Sequence, residues 1–205
     1  MSFSLPKLYP LTDTRLSGLS HAEQVKRLAA GGARVIQLRE KHASPAEFYL
    51  EAQKALEIAR HENIKFIIND RVDIALALKA DGVHLGQDDL PPIEARKLLG
   101  NNAIIGFSTH DLEQAAAALK FPIDYIAVGP IFPTSSKENP YPVVGLEQLR
   151  QIRQALGDFS LAAIGGITPE NFRDVLEAGA DSVAVISSLL SDPNLITERT
   201  KLFLS

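Results

Sequence analysis

The chain has 205 residues, a formal net charge of −4 and no cysteine. That length suits one domain with a sizeable core, the acidic balance argues against a nucleic-acid footprint, and the absence of thiols excludes disulfides, cysteine nucleophiles and cysteine-ligated metal. No apolar run reaches bilayer-spanning length, and residues 1–6 lack the basic and apolar regions of a signal peptide, so a cytoplasmic protein is expected.

Short apolar runs alternate with helical patterning from end to end. The first strand candidate is 7–11, with Pro10 inside it, where proline cannot donate a ladder hydrogen bond. Ser20-His21-Ala22-Glu23 reads as a capping box. The helix it opens closes at Ala30-Gly31-Gly32-Ala33, where glycine can adopt the left-handed conformation. Strand 34–38 runs into Gln37-Leu38-Arg39-Glu40-Lys41, and Ser44-Pro45-Ala46-Glu47 is a second capping box with proline at the first helical position. Strand 65–69 ends on Asn69-Asp70, strand 82–85 on Gly86-Gln87-Asp88-Asp89, and strand 103–107 on Ser108-Thr109-His110. Strand 125–128 opens into a proline-rich loop, 130–144, of a length that usually marks a lid or binding loop. Strand 161–164 ends on Gly165-Gly166. A helix follows, signalled by Thr168-Pro169-Glu170 at its start and Ala178-Gly179-Ala180-Asp181 at its end. Strand 182–186 then runs into Ser187-Ser188.

Several of these strands are apolar without strict alternation, as strands buried on both faces are. A βα unit recurring at roughly 25-residue spacing, about eight times, gives an α/β protein with a single (β/α)8 TIM barrel over residues 1–205. A parallel barrel gathers the C-terminal ends of its strands on one face, so the polar clusters converge there.

Each cluster has a chemical reading and a structural alternative. Asp70 and Asp89 end neighbouring strands and could share one magnesium, which takes one or two carboxylates plus water and substrate phosphate. Alternatively Asp70 is a helix N-cap and Asp88-Asp89 a solvated turn. Gln37, Arg39 and Lys41 alternate and, if the strand persists, point into the barrel mouth, where arginine and lysine suit phosphate. The alternative is an interior ion pair with Glu40 or another acidic neighbour. Ser108 could instead cap the following helix through Asp111. His110 could shuttle protons near neutral pH, its structural alternative being a surface residue at a helix start, and His84 reads as a hydrogen-bonded core or rim residue. Thr134, Ser136 and Lys137 suit an anion but equally suit a polar loop. Gly165-Gly166 and Ile186-Ser187-Ser188 follow the last two strands, where such barrels often bind phosphate. The alternative is a pair of tight turns.

The ordered series Gln37-Leu38-Arg39-Glu40-Lys41, Ile68-Asn69-Asp70-Arg71-Val72-Asp73, Gly82-Val83-His84-Leu85-Gly86-Gln87-Asp88-Asp89-Leu90, Gly106-Phe107-Ser108-Thr109-His110, Gly129-Pro130-Ile131-Phe132-Pro133-Thr134-Ser135-Ser136-Lys137 and Ile164-Gly165-Gly166-Ile167 resembles the thiamine-phosphate synthase family over nearly the whole chain. The resemblance implies transfer of the pyrimidine methyl group of 4-amino-2-methyl-5-(diphosphooxymethyl)pyrimidine to the ring nitrogen of 4-methyl-5-(2-phosphoethyl)thiazole, releasing pyrophosphate. It implies Mg2+ on Asp70 and Asp89. Gln37, Arg39, Lys41, Asn69, Ser108 and Lys137 would surround the pyrimidine diphosphate, with Lys137, Ser108 and Arg39 acting on the reaction. Thr134, Ser136, Gly165 or Gly166, Ile186 and Ser187 would hold the thiazole phosphate. Serine stands before Lys137 where the family often has threonine, and the hydroxyl is retained.

The expected partners are two small phosphorylated heterocycles, with no nucleic acid and no membrane, and with a homodimer left open. Two alternatives share the fold. One is a thiazole tautomerase using the histidine after strand five, where His110 stands. The other is a non-catalytic thiazole-phosphate sensor. Asn69-Asp70, Asp89 and Lys137 favour the synthase, because an enzyme that handles no pyrophosphate has less need of them.

Overall fold

Eight short strands pair in parallel and in chain order, and the last returns to the first to close a barrel. They are β1 Leu8–Thr12, β2 Val35–Leu38, β3 Lys65–Asn69, β4 Gly82–Leu85, β5 Ile104–Thr109, β6 Tyr125–Val128, β7 Leu161–Ile164 and β8 Ser182–Val185. This computed structural model describes residues 3–134 and 141–205. The helices around the barrel are α1 Thr14–Ser17, α2 His21–Ala30, α3 Pro45–His61, α4 Val72–Leu78, α5 Pro92–Leu99, α6 Leu112–Ala118, α7 Gly145–Leu156, α8 Phe172–Glu177, α9 Ser187–Leu190 and α10 Ile196–Leu204, with a 3-10 turn at Pro193–Leu195. Among the described residues no helix is long and apolar enough to cross a membrane.

The strands lack strict alternation because both of their faces are buried. One face packs against the helices through Ile36, Leu38, Phe66, Ile68, Val83, Leu85 and their neighbours. The other fills the barrel with Tyr9, Leu11, Val35, Ile67, Ile104, Tyr125, Ala127, Ala162 and Ala184. Pro10 sits within β1 opposite Val185 of β8, and pairing of β1 with β2 begins only at Leu11.

At the opposite end from the polar clusters a device repeats before three of the four even-numbered strands. Asp81, Asp124 and Asp181 precede β4, β6 and β8. Each carboxylate accepts a backbone amide from the start of the preceding strand: Phe66 at 3.0 Å, Ile105 at 2.8 Å and Leu161 at 2.8 Å. Arg96 of α5 and Arg153 of α7 bind two of these aspartates at 2.7 and 2.6 Å while also binding loop carbonyls. These charge-assisted bonds satisfy groups that the barrel end would otherwise leave unpaired.

Most helix boundaries follow their sequence signals. Ser44 and Glu47 make the full reciprocal box. Ser20 accepts the Glu23 amide, but the Glu23 side chain turns to Arg27 instead of closing the box. Gly32 and Gly179 carry the left-handed backbone at the helix ends, with φ of 101° and 109°. Thr168 does not start α8: the helix begins at Phe172, because Thr168 and Asn171 bond each other in a preceding turn in which the Asn171 side chain accepts the Thr168 amide at 2.8 Å.

Candidate active site

The C-terminal ends of the strands surround a cavity of about 400 Å³. Of the residues singled out in the sequence, Gln37, Arg39, Lys41, Asn69, Asp70, Asp89, Ser108, Thr134, Gly165, Gly166, Ile186 and Ser187 all line it. Ser136 and Lys137 lie outside the described residues.

Strand alternation does not carry Arg39 and Lys41 into the cavity, since β2 ends at Leu38. The turn that follows is held from beneath by Glu40. Its carboxylate accepts the amides of His42 and Ala43 at 2.7 and 3.2 Å, and its other oxygen meets His21 Nε2 at 3.2 Å. His21 Nδ1 in turn pairs with Thr12 Oγ1 at 2.7 Å. With Glu40 committed below, it is not the ion partner of its neighbours. Arg39 pairs with Asp13 at 2.7 Å, and Lys41 pairs with Asp70.

Burial pushes the His21 imidazole below its ordinary pKa, and Glu40 only partly restores it. Burial works against ionisation of Glu40 as well, but the His42 amide, the His21 ring and the Ala43 amide outweigh it and hold that carboxyl below its ordinary range. Both groups therefore bind protons more readily in the unfolded chain. Stability is full above the unfolded histidine value, falls as pH drops below about 6.5, and falls further in the carboxylate range. His21→Gln is expected to lose less stability than the parent between about pH 7 and about pH 5.5 in urea unfolding. Equal losses in the two proteins would refute this role for His21.

Asp70 is not a helix cap. The residue before α4 is Arg71, which makes no side-chain cap. Asp70 has φ 62°, and its amide donates to the His84 carbonyl at 2.8 Å. This left-handed turn carries its carboxylate across the ends of β3 and β4 toward Asp89, which accepts the Gly86 amide at 2.6 Å. Asp89 is pushed above the usual carboxylate range, first by burial and then by the facing Asp70 charge. A half-buried carboxylate that faces a second one is a donor set that a hard cation relieves. No group of three or more histidine, aspartate or glutamate side chains with metal-ligand spacing exists among the described residues. The pair thus fits magnesium, whose remaining positions would go to water and phosphate oxygens, better than zinc.

Ser108 does not cap α6, because Asp111 does so by accepting the Gln114 amide at 2.7 Å. Ser108 pairs instead with His84 Nε2 at 2.8 Å. His110 is not a free surface residue either: its ring meets the Gly129 carbonyl at 2.7 Å and stacks on Tyr141 at 3.5 Å. His84 is the buried, hydrogen-bonded residue expected, with Nδ1 on Tyr125 at 2.9 Å.

Tyr9 and Tyr125 were not among the residues singled out, because each reads as part of an apolar strand. Period-two alternation would have found them, since they share the interior face with Leu11 and Ala127. Their hydroxyls meet at 2.7 Å, and Gln37 Nε2 donates to Tyr9 at 3.0 Å. Burial holds both phenols above their ordinary pKa, so they stay protonated. Gln37 Oε1 and Asn69 Nδ2 are buried without a partner among the described residues. An orphaned acceptor and an orphaned donor beside an open cavity are the groups a ligand would satisfy.

Across the cavity, Gly165 and Gly166 have φ of 102° and 66°. The chain leaving β6 lies flat on them, with the Ile131 amide on the Ile164 carbonyl at 2.9 Å and the Phe132 amide on the Gly165 carbonyl at 3.0 Å. Ser187 opens α9 directly after β8 and Ile186.

A family profile described as thiamine monophosphate synthase matches residues 8–189. The thiamine-phosphate synthase of Chloroflexus aurantiacus is 45% identical over 186 residues, covering 90% of this chain and 85% of the relative. That of Koribacter versatilis is 47% identical over 196 residues, covering 92% and 91%. The solved thiamine phosphate pyrophosphorylase from Pyrococcus furiosus superposes with a TM-score of 0.86 at 38% identity, covering 97% of this chain and 93% of that one.

Proposed function

Because the chain belongs to the thiamine monophosphate synthase family and is a transferase of thiamine biosynthesis, we propose that its cavity joins 4-amino-2-methyl-5-(diphosphooxymethyl)pyrimidine to 4-methyl-5-(2-phosphoethyl)thiazole. The observation that carries this reading is the meeting of two anion-competent sets in one cavity. Arg39, Lys41, Asp70 and Asp89 lie on the β2–β4 side, and Gly165, Gly166 and Ser187 on the β7–β8 side. A one-substrate isomerase has use for only the second set.

The methylene carbon–oxygen bond breaks, pyrophosphate leaves with the electron pair, and the thiazole nitrogen forms the new bond. No proton leaves that nitrogen, so no strong general base is required. The task is to stabilise the leaving group and position the two rings. Magnesium bound by Asp70 and Asp89 would neutralise charge growing on the pyrophosphate. Arg39 and Lys41 do the same from the β2 side, each already oriented by an aspartate. Gln37 and Asn69 offer their orphaned polar atoms to the aminopyrimidine, and apolar Leu11, Ala127 and Ile164 exclude water around a methylene that carries developing positive charge. Gly165, Gly166, Ile186 and Ser187, with Thr134, take the thiazole phosphate through backbone amides and hydroxyls. Lys137 and Ser136 belong to the same proposal, at the pyrophosphate and the thiazole phosphate respectively. The net charge and the lack of a membrane-crossing helix among the described residues fit a cytoplasmic enzyme of small molecules.

The test is direct. Both substrates and magnesium are added to the purified protein, and pyrophosphate and thiamine phosphate are measured. Equimolar formation of the two products is expected. Folded protein that makes neither, or that only isomerises the thiazole, overturns the reading.

A further inference from the structure

Beneath the cavity an unbroken chain of hydrogen bonds crosses the barrel from β2 to β5. It runs from Gln37 Nε2 to the Tyr9 hydroxyl at 3.0 Å, to the Tyr125 hydroxyl at 2.7 Å, to His84 Nδ1 at 2.9 Å, and from His84 Nε2 to Ser108 Oγ at 2.8 Å. Gln37 is 2% exposed, Tyr9 1%, Tyr125 0% and His84 7%, so water does not compete along it. The space is made by Gly106, where an added Cβ would stand 2.0 Å from Tyr125 Cζ and 2.5 Å from His84 Nδ1.

Such a chain has a direction. Each hydroxyl gives one proton and receives another, and a neutral imidazole donates from one nitrogen and accepts at the other. With Gln37 donating through Nε2, Tyr9 donates to Tyr125 and Tyr125 to His84 Nδ1. His84 then carries its proton on Nε2 and donates to Ser108. The Ser108 proton is thereby turned away from His84 and toward the cavity, while Gln37 Oε1 remains, among the described residues, the acceptor without a partner at the other end. Reversing the chain means turning the Gln37 amide. Ser108 then donates to His84 and offers the cavity only lone pairs.

We propose that this chain is a specificity relay: an exocyclic amine donating to Gln37 Oε1 locks the direction in which Ser108 donates to the departing diphosphate. Tyr9, Tyr125 and His84 are positioning residues that act through the two ends. The inference rests on the pyrimidine diphosphate reading above and deepens it. A heterocycle presenting an acceptor to Gln37 would favour the reversed chain and withdraw the Ser108 proton from the leaving group.

The test measures kcat for Gln37→Ala, Ser108→Ala and the double variant, in the parent and in a Tyr125→Phe background that keeps the ring and cuts the chain. In the parent the combined effect should fall short of the product of the two single effects by about fivefold or more. In the Tyr125→Phe background the effects should multiply. Multiplicative effects in an active parent overturn the relay alone, whereas a parent that makes no thiamine phosphate overturns the functional reading as well. Should Tyr125→Phe not fold, the 15N shifts of His84 in the parent decide. With 4-amino-5-hydroxymethyl-2-methylpyrimidine and inorganic pyrophosphate bound, a proton on Nε2 supports the relay and one on Nδ1 overturns it.

Discussion

Asp70→Asn is expected to lower turnover by about two to three orders of magnitude while the protein remains folded, the loss typical of removing one group that stabilises transition-state charge. Asparagine is the informative replacement because Asp70 holds a φ of 62°, which asparagine tolerates and alanine does not. The Asp70 amide keeps its bond to His84, so the turn between β3 and α4 survives. The change takes one negative charge from a facing pair in which Asp89 is already pushed up by burial and by Asp70. The relieved repulsion offsets the loss of the partly exposed Lys41 ion pair, so thermal unfolding should be little changed. The remaining carboxylate would hold magnesium less well, and half-maximal activity should need a higher magnesium concentration. Lys41 also loses the partner that orients it. Parental turnover and parental magnesium dependence in folded Asp70→Asn would remove the metal from the proposal.

Gly165→Ala is expected to raise KM for the thiazole phosphate about tenfold or more, with a smaller effect on KM for the pyrimidine diphosphate. The backbone at Gly165 has φ 102°, outside the range of L side chains, and an added Cβ would stand 2.6 Å from Pro130 Cβ and 2.7 Å from Pro130 Cα. Because the Gly165 carbonyl also accepts the Phe132 amide, the clash cannot be relieved without moving the chain that leads to Thr134. Strain of this kind costs about 1–3 kcal/mol and should appear as a lowered unfolding midpoint too. The separation of the two KM values carries the argument, since a purely structural role would disturb both substrates alike. Equal changes in the two would mean that Gly165 does not belong to the thiazole-phosphate side.

The barrel was legible because a parallel strand buried on both faces writes itself as an apolar run and ends where its side chains meet solvent. β3, β4, β6 and β7 have the bounds that the runs imply. The site was legible at the same points, since residues following parallel strands share one face whatever their distance along the chain. Local signals were less reliable where two hydrogen-bonding options were open to one side chain. Asp70, Ser108 and Thr168 all look like caps in sequence. Only the folded chain gives Ser108 a histidine from β4 and Asp70 a facing carboxylate from the next loop.

The sequence by itself determined the repeat, the number of strands, the single barrel and the set of polar residues at its mouth. All of these follow from periodicity and from chain order. The tertiary structure alone decided the pairings: Arg39 with Asp13, Lys41 with Asp70, Glu40 with His21, and Gln37 with Ser108 through His84 and two tyrosines hidden in apolar strands. Pairing depends on distance across the barrel, which closure sets and which no local pattern records.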